Sequence, residues 1–85
     1  MNIVFHKKFK KAFQEQPAKV RKRFKDQLEV FCQDPYDPTL NNHALTGSLK
    51  PYRSINITGD IRALYKVIGD DVVFLKMGSH SDLYG

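Results

Sequence analysis

The stretch Tyr52–Met77, YRSINITGDIRALYKVIGDDVVFLKM, decides the fold class of this chain. Apolar and polar residues alternate along three runs, which predicts strands at Tyr52–Ile57, Ile61–Val67 and Val72–Met77. Glycine-containing turns separate these runs, and they are short enough to join neighbouring strands as antiparallel hairpins. The stretch therefore predicts an antiparallel meander.

The alternation also predicts which side chains share a face of the sheet. Each strand has one apolar set that suits packing against helices: Ile55 and Ile57, then Ile61, Ala63, Tyr65 and Val67, then Val73, Leu75 and Met77. The other face would carry a cationic and partly apolar set: Asn56, Asp60, Arg62, Leu64, Val72, Phe74 and Lys76. Such a mixture is typical of a pocket floor, although an antiparallel sheet often leaves one polar face to solvent.

The residues before the meander repeat at helical spacing. After a short strand at residues 2–4, the apolar residues from Phe5 onward predict a helix. It should end near Glu15-Gln16, because Pro17 disfavours helix in the residue before it. Pro17 then suits the first turn of a second helix, which Asp34-Pro35 ends. The apolar stripe of this second helix consists of Val20, Phe24, Leu28 and Phe31.

Two helices followed by a meander predict a single α+β domain over residues 1–85. The N-terminal helical hairpin would pack on one face of a small twisted antiparallel sheet. A polar connector, residues 34–49, joins the two parts, and a loop this long in so small a domain is often functional. The lone Cys32 lies beside the apolar helix stripe, so we expect a buried, inert thiol. A single cysteine also fits a reducing cytoplasm.

Charge is concentrated in the predicted helices. The net charge is +5, and nine of the fourteen basic residues lie within the first 25 positions: Lys7, Lys8, Lys10, Lys11, Lys19, Arg21, Lys22, Arg23 and Lys25. This distribution favours a polyanionic partner, such as nucleic acid, an anionic membrane or an acidic protein. Two solvated lysine-rich helix faces would have the same composition. No apolar run is long enough to span a bilayer.

Two histidines and one aspartate are candidates for proton transfer. His80 follows the third strand closely, and His43 lies in the connector; both can exchange protons near neutral pH. Asp60 stands in a tight turn, where it can assist a histidine or simply form the turn. Each histidine can equally be an ordinary surface residue, and the sequence leaves these alternatives open.

The remaining candidates suit a phosphate and a nucleobase. Arg62 and Lys76 can hold a phosphate and offset added charge, or can pair with carboxylates across the sheet. Tyr84 can stack on a base or anchor the chain end. The His, Cys and Asp residues show no recognised ligand spacing, so we expect no metal and no cofactor. A nuclease that used these residues without a metal would cut only RNA, because the 2′-hydroxyl of the ribose can attack the adjacent phosphate.

Four segments resemble the RelE/ParE toxin superfamily, and its YafQ-like branch most closely: His43–Gly47 (HALTG), Tyr52-Arg53, Gly59–Tyr65 (GDIRALY) and Gly78–Gly85 (GSHSDLYG). The resemblance implies the RelE-like microbial RNase fold. It also implies a type II toxin that cleaves mRNA on the ribosome, without metal, and leaves a 2′,3′-cyclic phosphate. The implied partners are an acidic cognate antitoxin, the ribosome and mRNA, with no membrane and no small-molecule cofactor.

The YafQ-like pattern implies catalytic positions for His43, Asp60 and His80, and a site-shaping aromatic at Tyr84. Arg62 matches a basic position of the RelE branch. The expected phosphate- and RNA-binding set consists of Arg62, Lys76, Arg53, Tyr84 and Asn56. We expect His80 to be the general acid, and Asp60 or His43 to be the base or its orienter.

Three positions depart from the YafQ-like pattern. Asn56 stands where that pattern has a second His, Lys76 where it has Arg, and Ile61 where it has Trp. Asn is no general base, and Lys cannot make a bidentate phosphate contact. Two alternatives therefore stay open on the same fold: a ParE-like inhibitor of DNA gyrase, and a non-catalytic RNA-binding module.

Overall fold

A computed structural model gives the structure of residues 1–84. The elements in chain order are β1 (Asn2–Phe5), α1 (Lys7–Gln14), α2 (Ala18–Gln33), β2 (His43–Ala44), β3 (Arg53–Asn56), β4 (Ile61–Ile68), β5 (Asp71–Ser79) and α3 (His80–Tyr84). Single turns of 3₁₀ helix at Pro38–Leu40 and Gly47–Leu49 flank β2 in the connector. The predicted α+β class is confirmed. Within the described residues, no helix is both long and apolar enough to cross a bilayer.

The five strands form one sheet in the order β1-β5-β4-β3-β2. The two predicted hairpins are present, since β3 pairs with β4 and β4 with β5, both antiparallel. β1, however, runs parallel to β5, so the sheet is mixed rather than wholly antiparallel. A four-residue strand with no turn to a neighbouring strand carries no signal of its partner, and this pairing could not be predicted.

The first helix begins later than its apolar spacing predicts. Phe5 ends β1 instead of starting a helix, and α1 begins at Lys7. His6 caps the helix, because its Nδ1 accepts a hydrogen bond of 3.0 Å from the Lys8 N–H. The Phe5 side chain still packs against the core.

The core lies between the helical hairpin and one face of the sheet. Phe9, Phe24 and Phe31 from the helices are all but fully buried. Phe74 of β5 is the sheet residue at the centre, with its ring centroid 5.6 to 5.8 Å from those of the three helix aromatics. Ile55, Ile57, Ala63 and Tyr65 complete the buried face of the sheet, as the alternation predicts. Val67, predicted for the same face, is exposed because it lies near the end of β4, beyond the helices.

On β5 the predicted alternation is wrong for the first half of the strand. Leu64 pairs with Lys76 but the next residue, Tyr65, pairs with Phe74, so Leu75 is an extra residue in a β-bulge. The bulge reverses the facing of every residue before it. Val72 and Phe74 therefore point into the core rather than to the open face, whereas Met77, beyond the bulge, points inward as predicted.

The buried stripe of α2 also differs from the prediction. Cys32 is exposed, because it lies about 100° around the helix from the buried Phe31. Gln27 is buried instead, and its Nε2 donates to the backbone oxygens of Asn56 (3.0 Å) and Thr39 (3.4 Å). This side chain fastens α2 to the end of β3 and to the connector.

Candidate active site

The sheet face that points away from α1 and α2, hereafter the open face, is organised by cross-strand register. Residues that pair in register project to the same side. One row across the sheet is His43, Ser54, Leu64 and Lys76. The next row is Asn56, Arg62 and Gly78. Leu64 is almost fully buried yet stands outside the main core, so something covers this face.

The short helix α3 covers part of the open face, and a capping box sets its direction. The Ser79 N–H donates to Asp82 Oδ2 at 3.0 Å, and the Asp82 N–H donates back to Ser79 Oγ at 3.2 Å. The hydrogen bond from the Ser79 backbone, joined by its side chain, holds the pKa of Asp82 below its ordinary value. A Cβ at Gly78 would lie 3.0 Å from the Asp82 Cβ, so a larger residue there would push against the turn.

This turn places His80 at the first position of α3 and Tyr84 one helical turn later, on the same side. The two rings meet edge to face, with centroids 4.6 Å apart and planes at 65°. Each ring therefore limits the rotation of the other.

A cavity of about 410 Å³ lies at this end of the open face. The connector contributes His43, Leu45, Thr46 and Leu49; β4 contributes Arg62, and α3 contributes His80 and Tyr84. Four of the residues expected at an RNA site, His43, Arg62, His80 and Tyr84, are thus brought together from three separate parts of the chain.

His43 has a defined tautomer. Its Nδ1 lies 2.9 Å from the backbone oxygen of Asn41. A carbonyl oxygen can only accept, so Nδ1 carries the hydrogen. The neutral ring then presents an unprotonated Nε2, which is a proton acceptor.

Two donors at the cavity have no partner within the described residues. Arg62 Nη1 and the Tyr84 hydroxyl oxygen are both buried and make no hydrogen bond. The fully buried Ser54 Oγ, in the same row as His43, is a third such atom. Buried polar groups are nearly always paired, so each exception calls for an explanation, such as a bound partner or a catalytic role.

This arrangement has a definite chemical capacity. One imidazole can take a proton, a second can give one, and a guanidinium with a phenol can donate to an anion between them. Within residues 1–84, no group of three or more His, Cys, Asp or Glu side chains is close enough together to hold a metal ion.

Comparison with known families decides what kind of protein carries this site. The family model described as "Bacterial toxin of type II toxin-antitoxin system, YafQ" matches residues 1–85. The chain belongs to the YafQ toxin family. No curated protein sequence matches it.

Solved structures give the same fold for this YafQ-family chain. A copper-bound mutant toxin from Helicobacter pylori is 30% identical, with a TM-score of 0.75 and 99% of each chain covered. YafQ from Escherichia coli is 22% identical, with a TM-score of 0.81 and coverage of 99% of this chain and 98% of that one. A YoeB/ParE toxin from Agrobacterium tumefaciens is 20% identical, with a TM-score of 0.79 and coverage of 94% and 99%. The predicted membership of the YafQ-like toxins is confirmed, and the YoeB/ParE toxin shares the fold.

Two expected site residues of this YafQ-family toxin lie on the open side but do not line the cavity. Asp60 is exposed in the turn before β4, where its backbone N–H donates to Thr58 Oγ1 at 3.2 Å, and no hydrogen bond joins it to either cavity histidine. Lys76 is on the open face and exposed. The hydrogen bond to Thr58 is made by the Asp60 backbone and not by its carboxylate, and the catalytic role of Asp60 stays a prediction.

Arg53 and Asn56 are also separate from the cavity. Arg53 pairs in register with Tyr65, so it projects to the helix side of the sheet. Its Nε donates to Asn42 Oδ1 at 2.9 Å, and its guanidinium carbon lies 5.4 Å from the centre of the Tyr36 ring. Asn56 pairs in register with Arg62 on the open face, but its backbone oxygen binds Gln27 of α2, and the residue borders a different groove of about 620 Å³ beside that helix. RNA-binding roles for both stay predictions.

Sequence patterns missed several parts of the site. The capping box was visible as Ser79-x-x-Asp82, which is the spacing that starts a helix. Leu45, Thr46 and Leu49 had no such signal, because the path of the connector sets their place in the cavity wall.

Proposed function

We propose that this YafQ-family toxin is a ribosome-dependent mRNA endoribonuclease that makes a ribose 2′-hydroxyl attack its own phosphodiester. The observation that supports this most directly is the joint presence, around one cavity, of two imidazoles and two buried unpartnered donors, Arg62 Nη1 and the Tyr84 hydroxyl. A phosphodiester flanked by a proton acceptor and a proton donor is the substrate that uses all four groups.

His43 is the proposed general base. Its Nε2 takes the proton of the 2′-hydroxyl while the 2′-oxygen forms a bond to the adjacent phosphorus. The Asn41 carbonyl, bonded to Nδ1, stabilises the resulting imidazolium and keeps the ring aimed. Asp60 is the second candidate for this role, since the YafQ-like pattern implies it.

His80 is the proposed general acid. Its protonated ring gives a proton to the 5′-oxygen as the bond between that oxygen and phosphorus breaks. The products are a 2′,3′-cyclic phosphate and a 5′-hydroxyl, so every proton taken by His43 is matched by one given by His80. The edge-to-face contact with Tyr84 holds the donor ring in place.

Arg62 and Tyr84 would stabilise the transition state. Attack puts extra negative charge on the non-bridging oxygens, and donors already held in place lower the energy of that state. The two imidazoles carry out both proton transfers and Arg62 offsets the charge, so the route requires no metal ion. Lys76, exposed on the same face, would attract the RNA strand.

Two macromolecular partners follow from the same proposal. The exposed lysines of α1 and α2 would contact ribosomal RNA, largely through its phosphates. An Escherichia coli YafQ has been solved in complex with DinJ, and that chain is 22% identical to this one with a TM-score of 0.73. We propose that an acidic antitoxin binds this chain in the same way that DinJ binds YafQ, since the net charge of +5 favours an acidic partner.

The test is to add the purified protein to a translation extract and map the ends of the mRNA. We expect cuts inside translated codons, with cleavage rates about 10²- to 10⁴-fold lower in His43→Ala and in His80→Ala. The third histidine provides a matched control. His6→Asn keeps an acceptor at the cap of α1 and should leave the cuts unchanged.

Intact mRNA with the wild-type protein would contradict the proposal. If the protein inhibited DNA supercoiling by gyrase in that case, the ParE-like function would replace the proposed endoribonuclease function. Intact mRNA together with tight RNA binding would instead indicate a non-catalytic module.

A further inference from the structure

We propose that Arg53, acting through Asn42, is a positioning residue that fixes the place and tautomer of His43, and is not an RNA contact. This inference rests on the proposed role of His43. It assigns a function to a group of polar side chains at the end of the connector: Asn42, Arg53 and Tyr65.

The Asn42 side chain is held at three points. Its Nδ2 donates to the Pro35 backbone oxygen at 2.8 Å and to the Tyr65 hydroxyl at 2.7 Å, while its Oδ1 accepts from Arg53 Nε at 2.9 Å. The Pro35 carbonyl can only accept and Arg53 Nε can only donate, so the amide has one possible orientation. Burial raises the pKa of Tyr65, and its hydroxyl therefore stays neutral at physiological pH.

Asn42 directly precedes His43. The residue before Asn42, which is Asn41, controls the orientation of the His43 ring. Asn41 has a positive φ of 45°, and its carbonyl is the acceptor for His43 Nδ1. On one side of Asn41 lies the fully buried Leu40, and on the other lies the anchored Asn42. The direction of the Asn41 carbonyl is thus fixed from both sides, and with it the hydrogen bond that selects the His43 tautomer.

Arg53 has no route to a phosphate in the cavity. It projects to the helix side of the sheet beside Tyr65, whereas Ser54, its neighbour, projects to the open face in the row of His43. Its Nε is used by Asn42 and its guanidinium plane covers Tyr36. Lys cannot reproduce this combination of an in-plane donor and a flat cation, although it keeps the positive charge.

The test reads the state of His43 directly and needs no RNA. Nitrogen-15 NMR of the full chain distinguishes the two neutral tautomers of a histidine. We expect the wild-type His43 to be the Nδ1–H tautomer, and a substantial Nε2–H population in Asn42→Ala and in Arg53→Lys. Tyr65→Phe, which removes one of the three anchors of Asn42, should give a smaller Nε2–H population than either of those variants.

Two controls separate positioning from general damage. Arg23→Lys makes the same change in α2 and should leave the His43 signals as they are. The His80 signals, and the backbone amide signals of residues distant from Asn42 and Arg53, should be unchanged in every variant, which shows that the fold is intact. If His43 keeps the pure Nδ1–H tautomer in both Asn42→Ala and Arg53→Lys, the inference is overturned.

Cleavage kinetics supply the second arm. A positioning role predicts that Arg53→Lys lowers kcat by up to about 10²-fold and leaves KM and the salt dependence unchanged. A raised KM with a flatter salt dependence would make Arg53 an RNA contact and contradict the inference. If the wild type cuts no RNA, the proposed nuclease function fails, but the NMR result still decides the positioning role.

Discussion

At the scale of single residues, the proposed role of His43 as a base depends on one backbone carbonyl. A free imidazole exchanges between two tautomers, and only one of them presents Nε2 as an acceptor. The 2.9 Å contact to the Asn41 oxygen selects that one before any substrate arrives. The proposed base is thus already oriented in the folded protein before substrate binds, which is what is meant by a preorganised site.

The two candidate bases can be separated by comparing their variants. We expect His43→Ala to lower single-turnover cleavage about 10²- to 10⁴-fold, and Asp60→Asn to lower it much less, because Asp60 does not line the cavity. The measurement is the cleavage rate on programmed ribosomes at saturating protein. If the cleavage rate fell as far in Asp60→Asn as in His43→Ala, the general base would be Asp60.

The sequence predicts the residues of the cavity better than it predicts the place of Arg53. His43, Arg62, His80 and Tyr84 were identified by residue type and by the resemblance to toxins, and the structure brings them to one cavity. Arg53 belongs to the expected RNA-binding set through the Tyr52-Arg53 segment of the toxin resemblance. Sequence alone does not reveal that its Nε is committed to Asn42, because the two residues meet only once the connector has folded back along β3.

At the scale of elements, α3 is oriented by its first residues rather than by its length. A five-residue helix has little stability of its own. The reciprocal hydrogen bonds of Ser79 and Asp82, with the small Gly78 beneath them, fix its start and therefore the positions of His80 and Tyr84. Leu83, buried at 9% exposure, packs the helix onto the sheet.

The capping box predicts an acid-sensitive end of the chain. Hydrogen bonds from Ser79 lower the pKa of folded Asp82 below the ordinary value of 3.8. The stabilisation is complete above that ordinary value and is lost as the pH falls through the lowered one. An NMR titration of the Asp82 carboxyl should therefore give a higher midpoint in Ser79→Ala than in the wild type. The exposed Ser48→Ala serves as the control, and equal midpoints in Ser79→Ala and the wild type would contradict the capping box.

The bulge in β5 is the element that simple alternation could not reveal. Phe74 and Leu75 are neighbouring apolar residues, and either side chain suits the core. Strict alternation along β5 predicts that Leu75 points inward, whereas the structure has Phe74 there. Only the pairing of Tyr65 with Phe74, next to that of Leu64 with Lys76, shows that one residue is extra. The alternation on β3 and β4 has no such interruption, and of its predicted inward residues only Val67, near the end of β4, is exposed.

A matched pair of variants tests the bulge. Phe74→Ala should lower the free energy of unfolding by about 3–5 kcal/mol, because the ring is fully buried among aromatic side chains. Leu75→Ala should cost clearly less, since Leu75 is only partly buried. Urea denaturation of both variants measures the difference. A larger loss for Leu75→Ala would mean that β5 has no bulge and alternates regularly.

At the scale of the whole molecule, the sheet separates two functions. The basic surface of α1 and α2 lies on one side, and the cavity with Arg62, His80 and Tyr84 opens on the other. The helix lysines therefore cannot hold the same nucleotides that the cavity would cut. A second polyanion, which we propose to be ribosomal RNA, suits the helix side, and this explains why cleavage would depend on the ribosome.

The most direct test of the proposed chemistry changes the substrate and leaves the protein intact. A ribosome-bound mRNA is prepared with a single 2′-deoxy nucleotide on the 5′ side of the phosphate that the wild-type protein cuts. We predict that cleavage at this phosphate disappears, while neighbouring all-ribose sites are still cut and end in a 2′,3′-cyclic phosphate. Cleavage that continues at the 2′-deoxy position would show that water, not ribose, attacks the phosphorus, and would contradict the assignment of His43 and His80.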